Sequence, residues 1–74
     1  MKPSEIQIGK TYRNRGRGTT NRKVLQLKQD IYRQNGRGVD VLYRQIGGPW
    51  DGNEARLTLE SFAQWAGSEV KEGQ

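Results

Sequence analysis

The chain of 74 residues has no cysteine and no histidine. Without thiols there is no disulfide staple and no thiolate nucleophile. Without imidazole, a Ser-His or Cys-His mechanism and nearly every zinc geometry are excluded. Apolar residues are also scarce: Leu, Ile, Val and Phe together make 14 of the 74 positions. With a net charge of +5, that composition lies at the border of chains too polar to fold. No apolar run is long enough for a signal-peptide core or a membrane span. The expectation is a cytoplasmic location with no membrane partner.

The aromatic residues are what argue for a folded chain. Tyr12, Tyr32, Tyr43, Trp50, Phe62 and Trp65 fall inside or beside patterned segments, and each can bury a large area. A chain this short buries only about 60% of the surface its unfolded form exposes, so one marginal core is all it can hold. Residues 1–74 therefore read as a single small domain, with an ordered core over about 9–66.

Short strands dominate the pattern. "GKTYR" at 9–13 opens the first, and "NRGRGTTN" breaks it. "KVLQLKQDIYR" at 23–33 places Leu25, Leu27 and Ile31 on one face and Val24 with the polar residues on the other. The Asn35-Gly36 pair signals a tight hairpin turn, joining that strand to "VDVLYRQI" at 39–46. "GGPWDGN" makes a second turn, and "EARLTL" a further short strand. Leu59, Phe62, Ala63 and Ala66 then recur at helical spacing, with Thr58 as N-cap and Gly67 placed to stop the helix. A last edge strand at 69–71 is one reading of the C-terminus, fraying the other. The resulting fold class is mainly β with one short α-helix, either a small antiparallel SH3-like barrel or, as the alternative, an open antiparallel sheet with the helix packed on one face. Both bury Leu25, Leu27, Val41, Tyr43, Leu57, Leu59 and Phe62.

Charge is distributed unevenly. Residues 1–44 carry 11 Lys and Arg against 3 acids, whereas residues 45–74 carry 2 against 5. Between Ile6 and Gln29 there are seven basic residues and no acid, a stretch whose potential attracts phosphate. In the loop region 13–23, Arg13, Arg15, Arg17, Arg22 and Lys23 are the candidate phosphate contacts, and Tyr12 offers a ring for stacking. The bland alternative is a solvated loop that keeps a marginal domain soluble.

Arg37 and Trp50 are candidate partner-binding residues, although the favoured reading of Trp50 is a tryptophan folded over the end of the core. Paired carboxylates can run acid–base chemistry without histidine, but Asp51, Glu54 and Glu60 show no spacing beyond what turns and a helix start demand. "GRGTTN" lacks the lysine and following hydroxyl of a phosphate-binding P-loop. The chain reads as a binding module and not an enzyme, with no cofactor and no metal. Weak, sequence-nonspecific nucleic-acid binding is the leading function. A protein-interaction module with an acidic partner is the alternative.

The order of "GKTYR", "RKVLQL", "VLYRQ" and "LTLESFAQWA" over residues 9–66 resembles that of short proteins encoded by bacteria and their phages. The resemblance implies a small SH3-like barrel and a phage or prophage origin. It implies no activity, and no functional residue is carried over from it.

Overall fold

The computed structural model describes residues 1–16, 20–30 and 38–70. After a short 3-10 turn at Pro3–Glu5, the chain forms β1 (Thr11–Asn14), β2 (Asn21–Asp30), β3 (Gly38–Ile46) and β4 (Glu54–Thr58), then helix α1 (Leu59–Trp65) and β5 (Ala66–Val70). All five strands pair antiparallel in one sheet of order β4-β3-β2-β1-β5. β4 and β5 are its two edges. The fold is thus mainly β, and the open sheet with a helix on one face is the architecture seen. The closed barrel, the first expectation, is not: the chain between β4 and β5 is used for α1, which packs on β3, β4, β5 and the 3-10 turn.

The pairing of β2 with β3 runs from Asn21↔Ile46 to Asp30↔Gly38. The Asn35-Gly36 turn expected to join these strands lies outside the described residues. In β2 the register shifts between Val24 and Gln26, so Leu25 is an extra residue in a bulge. That bulge corrects the expected strand faces. Val24 is fully buried, Leu27 packs against the core from its rim, and Leu25 is only half-buried and outside the core cluster. Strict alternation cannot put positions 24 and 27 on one side, whereas one inserted residue can.

The core consists of Ile6, Tyr12, Val24, Val41, Tyr43, Phe62, Ala63 and Ala66. Leu57 and Leu59 pack against it partly buried. Phe62 lies at its centre, with ring centroids 5.8 Å from Tyr12, 5.6 Å from Tyr43 and 5.4 Å from Trp65. Seven helical residues cannot hold together alone in water. Phe62 is what ties α1 to the sheet, helped by Thr58, whose Oγ1 accepts from Ser61 N–H at 3.1 Å. The ordered body also exceeds the expected 9–66, since Ile6 is buried and β5 continues to Val70.

Gly67 has a different role from the one expected. The helix ends at Ala66, which turns into extended backbone (φ −74°, ψ 131°) and leads directly into β5. Gly67 sits where the β1–β5 register slips between Arg13 and Asn14, and a Cβ there would lie 2.5 Å from Arg15 Cα. Close backbone approach, not a left-handed cap, requires the glycine.

Two substitutions test this account. Phe62→Ala removes the ring that three others touch and is expected to cost about 3–5 kcal/mol. That is comparable with the whole stability of a marginal domain, about 5 kcal/mol, so urea unfolding should find the variant largely unfolded. Gly67→Val forces β5 away from Arg15 and should lower stability by about 1–3 kcal/mol in the same assay, whereas an unchanged midpoint would mean that the close approach is absent.

Candidate nucleic-acid interface

Strand register determines which basic residues share a surface. Directly paired residues of antiparallel strands point to the same side, as do residues two apart along one strand. Thr11 pairs with Lys23, Lys23 with Arg44 and Arg44 with Glu54. Arg13 is two residues from Thr11, and Arg56 two from Glu54. Arg13, Lys23, Arg44 and Arg56 therefore stand on one face of the sheet, contributed by four neighbouring strands, opposite the face that holds Tyr12, Val24 and Tyr43. Arg13, Arg44 and Arg56 are exposed and Lys23 is half-buried. Arg44 is bound to Glu54, with Nη2 and Nε 2.8 and 3.3 Å from Oε2. Among the described residues, no ion pair holds Arg13, Lys23 or Arg56.

Arg22 does not belong to this surface. It pairs with Tyr12 across β1–β2 and points to the core side, where its guanidinium lies 4.6 Å from the centre of the Tyr43 ring and 4.2 Å from that of Trp65. Burial lowers its pKa, partly offset by Tyr43, and a guanidinium remains charged at any physiological pH. Its Nε is buried and meets no hydrogen-bond acceptor among the described residues. This arginine covers the aromatic cluster, on the opposite side of the sheet from Arg13 and Lys23.

Tyr12 is likewise internal. Its side chain is 1% exposed, and its hydroxyl accepts from Gln7 N–H at 2.8 Å and donates to Glu5 C=O at 3.0 Å. It has no free face for a base, contrary to expectation. Arg15 is exposed, and its Nη1 donates to Gln64 C=O at 3.3 Å. Arg17 and Arg37 lie outside the described residues. The candidate phosphate contacts thus move from the loop to the strands: Arg13 belongs to β1 and Lys23 to β2. Arg44 and Arg56 are further candidates that sequence reasoning missed, although their alternation with Tyr43 and with Ala55 and Leu57 was the available signal.

Trp50 is 62% exposed, so it does not fold over the core. Trp65 does cover the core edge, packed beside Phe62. Just before β1, Lys10 Nζ and Glu69 Oε1 are 2.9 Å apart. That hydrogen bond and the carboxylate charge raise the pKa of Lys10, which leaves its cation engaged locally. Among the described residues, no group of three or more acidic side chains could hold a metal ion, and no helix is long and apolar enough to cross a membrane.

In comparisons with known proteins, the chain matches no family model, no curated protein and no solved structure.

Replacing Arg22 with Ala should lower stability by about 1–2 kcal/mol, because two ring contacts of a partly desolvated guanidinium are lost. Arg13→Gln on the opposite face should stay within about 0.5 kcal/mol of the parent. Thermal melts of the two variants decide the point, and equal melting temperatures would return Arg22 to the surface set.

Proposed function

We propose that the chain is a small binding module that holds nucleic acid without reading its sequence, through the cationic outer face of the sheet. The observation that carries this reading is the register that gathers Arg13, Lys23, Arg44 and Arg56 onto one side. Neighbouring strands are about 4.8 Å apart, well inside the Debye length of about 10 Å at moderate salt. Cations on adjacent strands therefore reinforce one another's attraction for a polyphosphate. They attract it wherever it is placed, because point charges on phosphates carry no base information. The leading function is therefore kept, while the surface shifts from the 13–23 loop to the strands.

Binding of this kind should weaken with salt along a log–log line. Changing Arg13 and Lys23 together to Gln should reduce its slope by about 0.9 per lost contact on duplex DNA. Lys2 and Lys10 changed to Gln serve as a control that alters net charge equally away from this face. Equal losses from both pairs would reduce the effect to overall charge. In a pull-down, partners that survive nuclease treatment would point instead to an acidic protein on the same face.

A further inference from the structure

Loops on alternate hairpins of a meander lie at the same end of the sheet. The β1–β2 and β3–β4 connections are such a pair, and the structure brings Thr20, which leads into β2, beside Gly48 of the second. Asn21 pairs with Ile46, and a Cβ built on Gly48 would lie 2.8 Å from Thr20 Oγ1. From this end projects Trp50, 62% exposed. The turn that carries it is tightly held. Gly47 N–H donates to Asp51 Oδ1 at 2.7 Å, Gly52 N–H to Gln45 C=O at 2.8 Å and Asn53 N–H to Trp50 C=O at 3.0 Å. Gly47, Gly48 and Gly52 all have positive φ, at 84°, 73° and 87°, a backbone that other residues resist.

The last row across the outer face, next to this turn, is Ser68–Arg13–Asn21–Ile46. Ile46 is 37% exposed. Lys23 and Arg44 stand one row further from the turn. The two rows that carry Arg13, Lys23 and Arg44 are about 7 Å apart along the strands and end at the turn that carries Trp50.

Resting on the nucleic-acid reading above, we infer that the preferred ligand is single-stranded, with its phosphates on the Arg13, Lys23 and Arg44 rows and an unpaired base stacked on Trp50. A duplex keeps its base faces inside and can use only the cations. A single strand offers base faces as well, and stacking on an aromatic side chain is tolerant of sequence. The hydrogen-bonded turn fixes the backbone that carries the indole before binding, so only the side chain is left to be ordered in the encounter.

The test uses the full chain, with labelled oligo(dT) and a duplex of the same length as probes, at low salt. The parent should bind oligo(dT) more tightly than the duplex. Trp50→Ala should weaken oligo(dT) binding by about 5- to 140-fold, the loss of one stacked base, and change duplex binding by about twofold at most. Trp50→Phe, which keeps a ring, should restore much of the loss. An exposed side chain leaves melting temperature unaffected, so folding does not confuse the readout. Trp50→Ala that binds oligo(dT) as the parent does, or that loses both probes equally, overturns the inference while the charge-based reading stands. A parent that binds neither probe overturns both.

Discussion

The fold depends on the ring of Phe62. A helix of seven residues, Leu59–Trp65, has no stability of its own, and a sheet whose strands bury five hydrophobic residues among those described, Tyr12, Val24, Val41, Tyr43 and Ala66, has little. Phe62 meets Tyr12 from β1 edge-on at an interplanar angle of 86°, and Tyr43 from β3 and Trp65 from its own helix at 54° and 51°. Such pairs contribute about 0.5–1.5 kcal/mol each beyond the area they bury. One side chain thus locks three elements together, and the others position themselves around it. Tyr12 can be internal because the chain before β1 supplies both hydrogen-bond partners of its hydroxyl. Ala63 and Ala66 are small because they lie beside this cluster.

The bulge at Leu25 decides what each face carries. Before it, Arg22 and Val24 point toward the aromatic cluster; after it, Leu27 does. The single inserted residue keeps apolar side chains inward along a strand whose sequence does not alternate cleanly, and it leaves Lys23 outward beside Arg44. Arg22 is the consequence on the inner side. A long side chain whose stem is apolar and whose planar head lies on two rings can cover the rim of a core that has too few aliphatic residues to close itself.

Element types were legible in the sequence because their signals are local. The N-cap of α1 at Thr58 and the helical spacing of Phe62 and Ala63 need only neighbouring residues, and so does the alternation of Val41 and Tyr43 in β3. What was not legible depends on pairing. Leu25 and Val24 exchange roles through a bulge that no residue type announces. Tyr12 in the middle of a basic run resembles an exposed ring until β1 is flanked by β2 and β5. Gly67 resembles a helix stop, and only the passage of Arg15 beside it explains the glycine. The candidate surface was half legible: the acid-free stretch from Ile6 to Gln29 is real charge, but its members divide between the two sides of the sheet. Arg44 and Arg56, outside that stretch, join it through register alone.

Charge counted along a sequence therefore overstates a grip in one place and understates it in another. Of the five basic residues in 12–23, Arg22 is taken by the core, so its charge serves the aromatic rings and adds little to the field outside. Arg44 is shared with Glu54, in an exposed pair that contributes little to stability and can be exchanged for a phosphate at small cost. Arg13, Lys23, Lys28 and Arg56 are the cations of that face that no ion pair holds among the described residues. Because they stand on strands whose inward neighbours are core residues, their spacing is fixed by the same packing that fixes Phe62. A solvated loop could carry as much charge, but it would have to be ordered by each ligand it met. On the sheet the ordering cost has already been met by folding, which is the physical argument behind the proposed grip.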